Sequence, residues 1–132
     1  MFHLKKQHAG EIIAHAQAEA PNECCGLLAG PGGRVERVYR ARNADLSPIR
    51  YSLATKELLG YIKDIDDRDW DLLGIYHSHT HTQAYPSETD VRMAFWPDCL
   101  YVIVSLEKPR EPYLRAFRIL EGKIEEEDIT IE

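Results

Sequence analysis

The sequence predicts an α/β fold, a mixed β-sheet flanked by two or three helices. Three observations predict it. Apolar residues recur at helical spacing in separate stretches, strand-sized apolar runs lie between them, and Gly, Pro, Asn and Asp punctuate the joints. At 132 residues the chain has the length of one domain, residues 1–132, with a single core.

Each element has its own warrant. From Leu4 to Ala20 the residues Ile12, Ile13, Ala16 and Ala20 keep helical spacing, and Pro21 stops the helix. Residues 24–30, CCGLLAG, read as a buried strand. Pro31, Gly32 and Gly33 form a turn, and RVERVYRA returns as the second strand of a hairpin. Asn43 to Arg50 reads as loop and Tyr51 to Ala54 as a short strand. Thr55 serves as an N-cap with Glu57 in the first turn, and Leu58, Leu59, Ile62 and Ile65 mark the apolar face of a second helix. Asp71 to His79 is a strand whose alternating positions Leu73, Ile75 and His77 share one face. A loop, Thr80 to Pro86, leads to a third helix from Ser87 to about Trp96, with Val91, Ala94 and Phe95 on its apolar side and Pro97 and Asp98 ending it. LYVIVSL is a hydrophobic strand, and YLRAFRIL with KIEEEDITIE makes a terminal hairpin around Glu121 and Gly122.

Composition narrows the function. Hydrophobic residues make up 44% and charged residues 29%, a soluble mixture. The apolar runs fall far short of the roughly 20 residues a membrane helix needs. No apolar run follows the N-terminal lysines, so a signal peptide is not expected and the cytoplasm is. The net charge of −6 speaks against nucleic-acid binding, which relies on basic patches. The acidic runs DIDDRDWD and EEED read as solvated helix ends and loops. Cys24, Cys25 and Cys99 are an odd count without a C-x-x-C pair, so they read as reduced, buried thiols.

The chemistry sits between His77 and Asp90. Residues i and i+2 of a strand point to the same face, so His77 and His79 can present two imidazoles to one cation. Zinc accepts imidazole nitrogen and commonly adds a carboxylate, which Asp90 can supply once the loop turns the chain back. Three protein ligands leave a fourth position open, the mark of a catalytic site. Each piece also has a plainer reading. A lone His-x-His is usually two surface histidines, and Ser87-x-x-Asp90 is a good capping box. His81 continues the alternation, but Thr80 and Thr82 place it in the loop, with metal ligation the minor option. Glu23, between a helix stop and a buried strand, is the candidate base for water; taken alone it reads somewhat better as a solvated glutamate after a proline turn.

Together these residues resemble a known family. His-x-His, seven residues, Ser, two residues, Asp, with the upstream glutamate of Pro21-Asn22-Glu23-Cys24-Cys25-Gly26-Leu27-Leu28, is similar to the JAMM, or MPN-plus, metallopeptidases. Gly74-Ile75-Tyr76 resembles that family's strand into the motif, and the likeness runs from about Glu11 to Leu120. The resemblance implies a cytidine-deaminase-like mixed sheet and one zinc ion per chain on His77, His79 and Asp90. It implies Glu23 as acid and base and Ser87 as the donor to the oxyanion. The implied reaction is hydrolysis after the Gly-Gly tail of ubiquitin or a ubiquitin-like protein. Thr80 stands where many eukaryotic members have proline, and Thr-His-Thr-Gln-Ala-Tyr-Pro-Ser resembles the short prokaryotic branch, linked to ubiquitin-like sulfur carriers. A small sulfur-carrier substrate is therefore expected over polyubiquitin. The main alternative is a non-catalytic scaffold of the same fold, disfavoured because every expected ligand position is filled. A nucleobase deaminase is disfavoured because its His-x-Glu and Pro-Cys-x-x-Cys are missing. A structural zinc site is disfavoured by Glu23 and the open fourth position.

Overall fold

A computed structural model describes residues 2–49 and 51–132. The elements run β1 (Phe2–Leu4), α1 (Lys6–Glu19), β2 (Cys25–Gly30), β3 (Arg37–Ala41), α2 (Thr55–Asp67), β4 (Asp71–His79), α3 (Glu88–Arg92), β5 (Leu100–Ser105), β6 (Tyr113–Leu120), β7 (Lys123–Glu127) and β8 (Ile129–Ile131). Six strands form one sheet in the order β3-β2-β4-β5-β6-β7, and β1 pairs with β8 in a separate parallel ribbon. Only β4 and β5 run parallel within the large sheet, so it is mixed, as expected.

Strand alternation builds two cores, one on each face. On one side α1 lays Ile12 and Ala16 against Leu28, Tyr76, Val102 and Val104. On the other α2 sets Ile65 against Leu27, Ile75, Tyr101, Ile103 and Phe117. Every residue of β2 and of β5 is buried, which is why both read as continuous apolar runs. A buried polar pair joins helix to sheet on the first face, where His15 Nδ1 lies 2.7 Å from the Tyr76 hydroxyl.

Several boundaries and faces differ from expectation, each for a physical reason. The first helix starts at Lys6 because Phe2–Leu4 pair as a strand with Ile129–Ile131, and that pairing also splits the terminal KIEEEDITIE into two strands. Thr55 is the first helical residue of α2, not its cap; Ala54 holds the cap position, and Glu57 accepts the Arg42 backbone N–H at 2.7 Å. Leu59 is exposed, because the α2 face that meets the sheet is set by Leu58, Tyr61 and Ile65. Leu73 and Ile75 do not share a face. Leu28 pairs with Gly74 and Ala29 with Leu72, so a bulge skips Leu73 and reverses the alternation before Gly74. Leu73 therefore packs with Tyr76 on the α1 face, whereas Leu72 packs with Ile75 on the α2 face. RVERVYRA pairs only from Arg37, and Tyr51 to Ala54 supplies one isolated bridge, Asn43 to Leu53, instead of a strand. The third helix ends at Arg92, and Phe95 is exposed.

The expected turns form. Gly32 and Gly33 both take positive φ, and so do Glu121 and Gly122 in the β6–β7 hairpin. No helix among the described residues is long and apolar enough to cross a membrane. All three cysteines are free and buried.

One packing contact leads to a measurement. A methyl group on Gly26 would run into the Tyr76 ring and the Tyr39 carbonyl. Gly26→Ala should destabilise the protein by about 2–3 kcal/mol, as overpacking of a core does. Urea unfolding checks it, and a loss below about 0.5 kcal/mol would show that the β2–β4 contact is looser than described.

Candidate metal centre

The site grows out of the register between β2 and β4. Cys25 pairs with His77 in this antiparallel ladder. Just past the ladder's end the Ser78 N–H still donates to the Cys24 carbonyl at 3.2 Å, and the Cys24 N–H donates to Ser78 Oγ at 2.8 Å. Continuing that register two residues beyond Cys25 sets Glu23 opposite His79. Alternation then places Glu23, Cys25, His77 and His79 on the α2 face. The loop after β4 returns the chain to the same point. Ser87 caps α3, its Oγ accepting the Asp90 N–H at 3.1 Å while its own N–H donates to Asp90 Oδ2 at 2.9 Å. The capping box thus forms, and it aims Asp90 at the end of β4.

The three expected ligands converge. His77 Nε2 and His79 Nε2 lie 3.2 Å apart, and Asp90 Oδ2 lies 3.1 Å from the first and 3.0 Å from the second. All three residues are buried. His79 Nδ1 donates to the Gln83 carbonyl at 2.9 Å, so Nε2 is the nitrogen that a neutral ring would offer to a metal. Tyr51 stacks on His77 with ring centroids 4.4 Å apart and 21° between planes. When both rings are neutral with their protons on Nδ1, the three atoms meet as lone pairs, which no proton between them relieves. A cation satisfies all three. Ligands held at about 2.0–2.1 Å from a tetrahedral ion sit about 3.3 Å from one another, close to the spacing seen. The donor set of two imidazoles and a carboxylate therefore fits a divalent metal.

The electrostatics agree. Burial opposes ionisation of Asp90, yet the charge of His77, the hydrogen bonds to both imidazoles and the Ser87 N–H hold its carboxyl far below the ordinary range. Burial holds His77 below its usual value against the pull of Asp90. At His79 burial is outweighed by the bonds to Asp90 and Gln83, which raise it. Glu23 is 3% exposed, its Oε1 is buried without a hydrogen-bond partner among the described residues, and burial pushes its carboxyl up to about 8. His79 pulls that value down and Asp90 raises it, so the glutamate lies within the field of both.

Of the other expected site residues, Ser87 is exposed at the start of α3, and its hydroxyl proton remains available because the oxygen only accepts within the cap. His81 is exposed in the loop and lies outside the His77–His79–Asp90 group. Cys24 and Cys25 are pushed up to about 12 by burial, which makes them inert thiols. Two neighbours escaped the sequence reading. Tyr51 lies in a stretch with no periodic signal, and Gln83 acts through its backbone. The spacing from His79 to Gln83, one tight turn, is the one hint the sequence carries of the second.

Comparison with known proteins agrees with this geometry. The family described as prokaryotic homologs of the JAB domain matches residues 5–120. The chain is 44% identical over 122 residues to the CysO-cysteine peptidase of Mycobacterium tuberculosis (strain ATCC 25618 / H37Rv), covering 91% of this chain and 84% of that protein. It is 34% identical over 101 residues to the desampylase of Haloferax volcanii, covering 71% of this chain and 73% of the relative. The solution structure of a Desulfitobacterium hafniense protein matches with a TM-score of 0.91 at 41% identity, covering 100% of this chain and 93% of that one.

Two measurements follow from the geometry. Asp90→Ala should weaken divalent-metal affinity by at least about a hundredfold in a competition titration with a chromophoric chelator; full retention would put the third ligand elsewhere, His81 first. The second concerns chelator-treated protein. With its folded pKa raised from 4.5 to about 8, Glu23 binds a proton more tightly folded than unfolded. Its contribution to stability is therefore complete below about pH 4.5 and is lost as pH rises through about 8. Glu23→Gln should remove that fall from the melting temperature measured between pH 5 and pH 9, and an unchanged slope would assign the burial cost to another group.

Proposed function

This chain belongs to the family of prokaryotic homologs of the JAB domain, and from that premise we propose that it is a zinc-dependent peptidase. It hydrolyses the peptide or isopeptide bond that follows the C-terminal Gly-Gly of a ubiquitin-like or sulfur-carrier protein. The observation that carries the reading is the meeting of His77, His79 and Asp90 at 3.0–3.2 Å beside a buried carboxyl. Two imidazoles and one carboxylate form the ligand set of hydrolytic zinc sites and leave a position open. The relatives named for CysO-cysteine cleavage and for desampylation support a small protein conjugate as substrate.

A zinc ion held by His77, His79 and Asp90 would acidify water and polarise the scissile carbonyl. The rest belongs to the chain. Glu23 takes the proton of the attacking water and returns it to the departing amine, so that one carboxyl is base and then acid. A group serves both roles best when its pKa lies near the working pH, and burial moves Glu23 toward neutrality. The Ser87 hydroxyl donates to the oxyanion that develops on the carbonyl, a contact usually worth about 3–4 kcal/mol in the transition state. The Gln83 carbonyl holds His79 in its ligating tautomer, and the Tyr51 ring holds His77. A Gly-Gly tail suits this site because it has no side chains, which lets its backbone approach a buried centre closely.

The test is incubation with a ubiquitin-like sulfur carrier extended past its Gly-Gly end, followed by mass spectrometry with and without a chelator. Cleavage should fall directly after the second glycine, and the chelator should abolish it. Glu23→Gln should keep one zinc per chain and lose about 10²–10⁴-fold in rate. Cleavage that persists in the chelator, or in Glu23→Gln at the native rate, would refute the mechanism.

A further inference from the structure

Glu23 lies outside the sheet, since β2 begins at Cys25. Its backbone is held instead by the segment that follows β3. The Glu23 N–H donates to the Ser47 carbonyl at 2.8 Å, and the Glu23 carbonyl accepts from Asn43 Nδ2 at 3.0 Å. The same amide nitrogen lies 3.5 Å from the Ser47 carbonyl, and Asn43 Oδ1 accepts the N–H groups of Asp45 at 3.0 Å and Ser52 at 3.1 Å. The Ala44 N–H closes onto the Ser52 carbonyl at 2.8 Å. Asn43 is buried, 6% exposed. One side chain thus pins both ends of the loop between residues 43 and 53 and ties that loop to the backbone of Glu23. Tyr51, which stacks on His77, belongs to the same loop.

We infer that Asn43 is a positioning residue for Glu23, one that sets where the glutamate's carboxyl points without touching substrate or metal. The inference rests on the function proposed above. Its chemistry is specific to an amide. The position needs a donor toward the Glu23 carbonyl and an acceptor for two N–H groups at once, and asparagine supplies them on two separate atoms, whereas a hydroxyl has one. An ionised aspartate offers acceptors only and would face two carbonyls with lone pairs. Alanine and serine cannot span the gap. The orientation of the amide is fixed by its partners, with carbonyls on one side and N–H groups on the other. A carboxyl that must reach a water beside a fixed centre tolerates little displacement, and an error of about 1 Å can cost about a hundredfold in rate.

The experiment uses the full chain loaded with zinc and the extended sulfur carrier as substrate. Asn43→Asp should lower kcat by about 10- to 100-fold, leave KM within about twofold and keep one zinc per chain. In the Glu23→Gln background the same substitution should slow the residual reaction by less than about twofold, because the group it positions is already disabled. If Asn43→Asp does not fold, Asn43→Ser removes the amide without adding charge and carries the same expectation. A folded, zinc-loaded Asn43 variant with native kcat, a change confined to KM, or loss of the zinc would each overturn the inference. A native chain that fails to cleave the extended carrier would instead overturn the functional reading on which it rests.

Discussion

The structure turns on three potential ligand atoms that face one another. His77 Nε2, His79 Nε2 and Asp90 Oδ2 form a triangle with edges of 3.0–3.2 Å, inside a region where water cannot relieve them. Proteins rarely aim three acceptors at one point, because a buried polar atom without a partner costs on the order of 1–3 kcal/mol. A divalent cation would satisfy all three at once. Much of the surrounding fold serves to hold the triangle. The β2–β4 register puts Glu23 across from His79, the capping box of α3 delivers Asp90, and Gln83 and Tyr51 fix the two imidazoles.

Helix capping and the proposed metal ligation share one carboxylate. Asp90 Oδ2 accepts the Ser87 N–H and faces both imidazoles. The bond that starts the helix therefore also orients the ligand, and a short helix of Glu88–Arg92 suffices for the task. A similar economy appears at Glu23. Its backbone is secured by Asn43 and Ser47, whereas Oε1 is buried with no hydrogen-bond partner among the described residues. A buried carboxyl on a held backbone, with an oxygen free of hydrogen bonds among the described residues, suits the proton transfer proposed for it.

The order of most helices and strands was legible because their periods are clear, and the shared face of His77 and His79 was legible because residues i and i+2 of a strand point the same way. What was not legible arises from tertiary contact. The bulge at Leu73 leaves no mark in the local pattern, yet it moves Leu73 to the face opposite Ile75. The strand at Phe2–Leu4 is too short to show alternation and exists only by pairing with Ile129–Ile131. Leu59 and Phe95 read as core from helical spacing alone, but the sheet they would meet is already covered by Leu58, Tyr61, Ala94 and Trp96. The loop after β3 was legible from its Asn, Asp, Ser and Pro, but the hold of the Asn43 side chain on Glu23 and the action of Gln83 through its backbone leave no mark in composition.

X-ray absorption at the zinc edge of the purified, metal-loaded protein tests the central claim most directly. The account predicts one zinc per chain with a nitrogen and oxygen shell at about 2.0–2.1 Å and the multiple-scattering signature of two imidazoles. Sulfur in that shell at about 2.3 Å, or a spectrum with fewer than two imidazoles, would contradict it by placing the ion away from His77, His79 and Asp90.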